Sequence, residues 1–118
     1  MRGKLNNDFT LNIDLASTIL GAANLASPQA MQGRDIAELY AYPEDERKPW
    51  RKEFYYEHHL SQFGSSQIPM SSALVRKKYK YVRFPQFKTE QLFDLVNDPV
   101  EQQNIVKENS TKMVLAEM

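Results

Sequence analysis

No cysteine occurs in the 118 residues, so neither a disulfide framework nor a thiolate nucleophile is available, and the redox compartment stays unspecified. No run approaches the roughly 18 apolar residues of a membrane-spanning helix, and Met1 to Asp8 are not followed by the apolar core of a signal peptide. The four glycines form no phosphate-cradling loop, and no serine stands in a Gly-x-Ser-x-Gly elbow. Charge of either sign is also lacking in excess: 15 Lys and Arg balance 15 Asp and Glu, which gives no overall attraction to nucleic acid. What remains is ordinary globular material, 42% hydrophobic with a mean hydropathy of −0.60, enough for one domain or a piece of one.

Along the chain, residues 9–13 alternate weakly and are expected to form a short strand. From Asp14 the period changes: Leu15, Thr18, Ile19, Ala22 and Ala23 share a helical face, predicting a helix over 14–23 with Asp14 capping its first amides and Asn24 taking a left-handed conformation after it. Pro28, Gly33, Pro43 and Pro49 punctuate a connecting region with one short helical candidate at 35–40, and a boundary is expected near Asp45. Aromatic-rich residues 53–60 predict a strand, Gly64-Ser65-Ser66 a flexible loop, and 72–76 with 79–84 a hairpin turning at Lys77-Lys78. A fourth strand is expected at 91–96. Asp98, Pro99 and Glu101 carry the N-cap, first-position and capping-box signals of a helix running to about residue 108, with a last helical turn or two at 111–117.

Two clusters carry candidate chemistry. His58 and His59 are adjacent, so on a strand they point to opposite faces and cannot easily chelate one metal; each is either a half-buried ring with a hydrogen bond or, with Glu57, part of a substrate pocket. Between Arg76 and Lys88 lie six cations and no acid, interleaved with Tyr79, Tyr81, Phe84 and Phe87. Such a stripe binds polyanions by charge and stacking; alternatively, cross-strand and following acids (Glu90, Asp94, Asp98, Glu101) neutralise it.

Five segments in order resemble the C-terminal part of the sulfatases of the alkaline phosphatase superfamily: Asn12-Ile13-Asp14-Leu15-Ala16-Ser17-Thr18-Ile19-Leu20, Met31-Gln32-Gly33-Arg34, Trp50-Arg51-Lys52-Glu53-Phe54-Tyr55-Tyr56-Glu57-His58, residues 73–82, and residues 92–104. Ser17 stands where that family usually has proline, and Asn24 where glycine is common. The resemblance implies an α+β fold: a four-stranded antiparallel sheet packed against a C-terminal helix (45–118), preceded by a helical segment from the end of a larger α/β domain (1–44). It implies a parent enzyme that hydrolyses sulfate esters, of sulfated carbohydrate, with a formylglycine nucleophile and calcium.

The formylglycine motif, Cys/Ser-x-Pro-x-Arg, surrounds none of the six prolines, and the family's calcium ligands lie upstream of the matched region. No catalytic or metal residue is therefore assigned. The chain alone is expected to be inactive, to have the remainder of the catalytic domain as its partner, and to contact substrate through Glu57, His58, His59 and Arg76. Two rivals stay open: a stand-alone module gripping a sulfated glycan or nucleic acid, and an assembly module completing another subunit or self-associating through the apolar face of the first helix.

Overall fold

The computed structural model describes residues 5–43, 45–59, 61–63 and 66–118, and the side chains of all but 61–63, 66 and 67 among them. Gly64 and Ser65 of the expected loop, and Leu60 at the expected end of the first strand, lie outside the described residues. Two compact units divide the chain, 1–51 and 52–118.

In the first unit, helix α1 spans Asp14–Ala22. It stops in a Schellman arrangement: Asn24 sits at φ 56°, its amide donates to the Gly21 carbonyl at 3.0 Å, and the Leu25 amide donates to Leu20 at 2.8 Å, satisfying carbonyls the helix end leaves free. The strand expected at 9–13 is absent. The Phe9 carbonyl instead accepts the Trp50 indole N–H at 2.7 Å, and the Asp14 amide closes a turn onto the Leu11 carbonyl at 3.0 Å, so neither group joins a ladder. The short helical candidate becomes a turn leading into α2, Glu38–Ala41, with the Asp35 carboxylate accepting the Ala37 amide at 2.8 Å.

The apolar face of α1 is exposed and its polar stripe is buried. Asp14 and Ser17 are the buried positions, at 0% and 2% exposure, while Leu15 and Ile19 are 57% and 69% exposed. The stripe at positions 14, 17, 18 and 21 faces the rest of its own unit. Ser17 Oγ donates to the Gly33 carbonyl at 2.9 Å, and Thr18 Oγ1 accepts the Ile36 amide at 3.0 Å. Gly33 must be glycine because a Cβ there would lie 2.0 Å from the Ile13 carbonyl oxygen.

The second unit is built on a four-stranded antiparallel sheet. Its strands are β1 (Glu53–His58), β4 (Ser71–Arg76), β5 (Tyr79–Phe84) and β6 (Thr89–Asp94), in the order β1-β4-β5-β6. A separate hairpin, β2 (Ser61–Phe63) with β3 (Ser66–Ile68), occupies ground expected to be loop. Registers Phe54↔Val75, Ala73↔Val82 and Val82↔Gln91 put Ala73, Val82 and Phe93 on one face, where they are buried with Phe84 and Leu95 packed on them. Leu92, pointing the other way, is completely buried; withdrawing such a side chain from water contributes about 2 kcal/mol.

The helix expected at 98–108 does not form. Glu101 holds φ 56°, a left-handed conformation that a right-handed helix cannot pass through, and its carboxylate is drawn to Lys80 Nζ at 2.6 Å. Asp98 spends its carboxylate on the Gln103 amide at 2.8 Å. The chain then returns along β6: Ile105 N–H donates to the Leu92 carbonyl at 2.9 Å, and Asn104 Oδ1 accepts the Leu92 amide at 3.0 Å. Local capping signals lost to pairing with the sheet. Only α3, Lys112–Glu117, ends the chain as the expected C-terminal helix, giving an α+β fold.

Candidate functional site

Glu57 and His58 close β1, opposite Ser72 and Ser71 of β4, and His59 follows directly. Glu57 is exposed and accepts the Tyr55 hydroxyl at 3.0 Å. His58 is half-buried, and its Nε2 is enclosed without a hydrogen-bond partner among the described residues. His59 is exposed. Arg76 lies elsewhere: it is paired across strands with Glu53, Nε to Oε2 at 2.7 Å, five positions or about 16 Å along the strand from His58. Glu57, His58 and His59 are thus neighbours by sequence at the end of β1, Glu57 and His58 on opposite faces of the sheet, and Arg76 lies apart from them.

The basic stripe is partly neutralised by the sheet and the loop that follows it. Besides Arg76, Lys80 meets Glu101, Arg83 stands opposite Glu90 in the β5–β6 register, and Lys78 lies over the Tyr79 ring at 4.9 Å, where a hydrogen bond to Tyr79 favours the charged ammonium. Lys77 is engaged too. Burial and a hydrogen bond to Glu90 push the Tyr81 hydroxyl above its ordinary value. Burial opposes ionisation of Asp94, but hydrogen bonds from Asn97 and the Val96 amide hold it below the usual carboxylate range.

The densest polar arrangement was not singled out as a site by sequence reasoning, which read Asp14 only as a helix cap. Its carboxylate turns away from the helix amides. Oδ1 accepts the Arg34 amide at 2.9 Å and Arg51 Nη2 at 2.7 Å; Oδ2 accepts the Leu11 amide at 2.8 Å and Arg51 Nη1. Arg34 and Arg51 both lie over the Trp50 ring, 4.1 and 5.2 Å from its centroid, and Arg34 also reaches the Pro49 carbonyl at 2.7 Å and Glu38 at 3.0 Å. Burial raises the Asp14 pKa, but the Arg51 fork and the two amides outweigh it and bring it to about 2. The signal was in the sequence: three of the resembling segments, around Asp14, Gly33-Arg34 and Trp50-Arg51, converge here. Every acceptor site on Asp14 is filled by the protein, so this is a structural anchor rather than a reactive centre.

No three His, Asp or Glu side chains converge as metal ligands among the described residues, so they do not fit the calcium that the resemblance implies. No described helix is long and apolar enough to cross a membrane. Shallow hollows open to solvent among the described residues include one of about 280 Å³ beside Glu38, Tyr42 and Arg47 in the first unit, and, in the second, one of about 470 Å³ at Asp94, Asp98 and Glu108 and one of about 520 Å³ lined by Lys88 and Lys107 among others.

The family described as N-sulphoglucosamine sulphohydrolase, C-terminal, matches residues 1–118. An arylsulfatase of Clostridium perfringens (strain 13 / Type A) is 28% identical over 111 residues, covering 94% of this chain and 21% of its own length. The structure of a 2-O GAG sulfatase superposes with a TM-score of 0.75 at 25% identity, over 88% of this chain and 22% of that one. Another, a protein in complex with its substrate D-glucosamine-2-N,6-O-disulfate, gives a TM-score of 0.73 at 22% identity over 88% and 21%. The chain spans about a fifth of the length of these relatives.

Proposed function

The chain belongs to the N-sulphoglucosamine sulphohydrolase C-terminal family, and on that premise we propose that it serves as the C-terminal part of a hydrolase of sulfate esters on carbohydrate, its nucleophile and calcium ligands supplied by the rest of the enzyme. The inverted burial of α1 carries this reading. A helix whose polar stripe is satisfied inside its own unit while Leu15 and Ile19 remain more than half exposed leaves an apolar face for another body to cover. Its occupant in this reading is the remainder of the sulfatase.

By itself the chain hydrolyses nothing in this reading. It has no Cys/Ser-x-Pro-x-Arg from which formylglycine could be made, and no described acidic cluster for a divalent cation. In the complete enzyme, attack on sulfur beside a cation, with positive groups offsetting charge on the sulfate oxygens, is the chemistry of the other part. The role assigned to this chain is to close one side of the cleft, with Glu57, His58 and His59 as its substrate-contacting residues. The enclosed, unpartnered Nε2 of His58 is a polar atom whose partner the rest of the enzyme or the substrate provides. Arg76, held by Glu53, stays with the sheet.

The reading is tested by sequencing upstream of the codon for Met1. An in-frame Cys/Ser-x-Pro-x-Arg segment, or one in an adjacent gene whose product co-purifies with this chain, is expected. A locus with neither would overturn it.

A further inference from the structure

The basic stripe ends at Lys88, which makes no ion pair among the described residues. The 3₁₀ turn Pro85–Phe87 delivers Lys88 into a left-handed conformation, φ 50°, with its amide on the Pro85 carbonyl at 3.3 Å. Lys88 lines a hollow of about 520 Å³ together with Lys107, Thr89, Gln91 and Asn104. Neither lysine takes part in an ion pair among the described residues. The walls are fixed: Asn104 joins the returning segment to β6 through the Leu92 amide and, from Nδ2, the Glu90 carbonyl at 3.3 Å, while Asn104 Oδ1 also accepts the Val106 amide at 3.1 Å.

Two lysines without an ion pair among the described residues, both lining one polar hollow, suit an anionic group on a hydroxyl-rich ligand. Charge is met by the lysines, and hydroxyls by the Gln91 amide and the Thr89 hydroxyl. Glu90, the one acid lining the hollow, stands opposite Arg83 and is hydrogen-bonded to Tyr81, which lessens its repulsion of an anion. We propose that this hollow is an auxiliary subsite for a sulfated sugar unit of a glycan, distinct from the Glu57–His59 end of β1. The sulfated ligand class rests on the proposed function, but the subsite itself is testable in the chain alone, without hydrolysis.

Heparin-derived oligosaccharide is the probe, titrated into the 118-residue chain by calorimetry at several salt concentrations. Binding that weakens with salt is expected, because cation contacts to sulfates release counterions. Lys88→Ala with Lys107→Ala together should lower affinity by about tenfold, on the order of two charge-assisted contacts, while Arg76→Ala stays within about twofold. Amide shifts in the unmodified chain should centre on Gln91, Asn104 and Val106, which keeps the test independent of the variants' folding. Unchanged affinity in the double variant, an equal loss in Arg76→Ala, shifts elsewhere, or equally effective competition by single-stranded DNA would each overturn the subsite. Absence of a catalytic partner at the gene locus would leave these readouts untouched, so the two proposals fail separately.

Discussion

Arg51 lies along the Asp14 carboxylate, Nη2 on Oδ1 at 2.7 Å and Nη1 on Oδ2, with Asp14 fully enclosed and the Arg51 side chain only 14% exposed. Residues 37 positions apart in sequence thereby tie α1 to the last residues of the first unit. Trp50 lies against two guanidinium groups, that of Arg51, which holds this carboxylate, and that of Arg34, which reaches Pro49 and Glu38 instead, and its indole N–H donates to the Phe9 carbonyl.

Removing one partner of a buried pair leaves an uncompensated charge, which costs about 3–5 kcal/mol. Asp14→Ala should therefore destabilise the first unit by about that amount. Trp50 is the single tryptophan of the chain and lies in this unit, so its fluorescence in a urea titration reports the loss. Glu53→Ala, which breaks a pair whose side chains are 35% and 50% exposed, should cost at most about 1 kcal/mol. Equal midpoints for the two variants would contradict the anchor.

The same pair sets an acid limit. Asp14 is depressed from 3.8 to about 2, and a lowered carboxylate pKa gives stability that is complete above the unfolded value and lost as pH falls through the folded one. About 2 kcal/mol should disappear between roughly pH 4.5 and pH 1.5. A pH series of urea midpoints followed at Trp50 should slope through that window in the native chain and flatten in Asp14→Asn. An equal slope in Asp14→Asn would contradict the assignment to Asp14.

Two glycines with close neighbours should behave differently. At Gly33 the obstacle is the Ile13 backbone carbonyl, 2.0 Å from where an alanine methyl carbon would sit, so Gly33→Ala must displace the start of α1 and should cost roughly 2 kcal/mol or more. At Gly21 the nearest atom is the Asp35 carboxylate, 2.3 Å away. That side chain can swing aside, and alanine gains up to about 1 kcal/mol of helix propensity. Gly21→Ala should unfold within about 1 kcal/mol of the native chain; a loss matching Gly33→Ala would show that Asp35 is rigidly held.

The end of β1 is tested in the assembled enzyme. His58→Ala with His59→Ala should reduce kcat/KM for a sulfated saccharide by about tenfold, on the scale of a lost polar substrate contact, while leaving the unfolding midpoint of the second unit nearly unmoved. Unchanged kinetics would remove these histidines from the site.

Legibility in the sequence followed the range of the interactions involved. Strand alternation is local, so the 72–76 and 79–84 hairpin, its turn at Lys77-Lys78 and the left-handed Asn24 were all readable. The Asp98-Pro99-Glu101 capping pattern is local as well, yet it was overruled by Asn104 and Ile105 pairing with Leu92, contacts that no local signal announces. Apolar periodicity in α1 was read correctly as a helix, but the burial of its polar stripe was not legible. That depends on Arg51 reaching Asp14 and on Gly33 passing close to Ile13. For the candidate site, adjacency placed Glu57, His58 and His59 together, whereas Arg76 needed the β1–β4 register to be located.

The most direct measurement is sulfate release from a sulfated saccharide by three preparations: this chain alone, a family catalytic portion carrying Cys/Ser-x-Pro-x-Arg but lacking its C-terminal region, and the two joined. Hydrolysis is expected from the joined protein only. Turnover by this chain alone, or a joined protein no more active than the truncated portion, would contradict the proposed function.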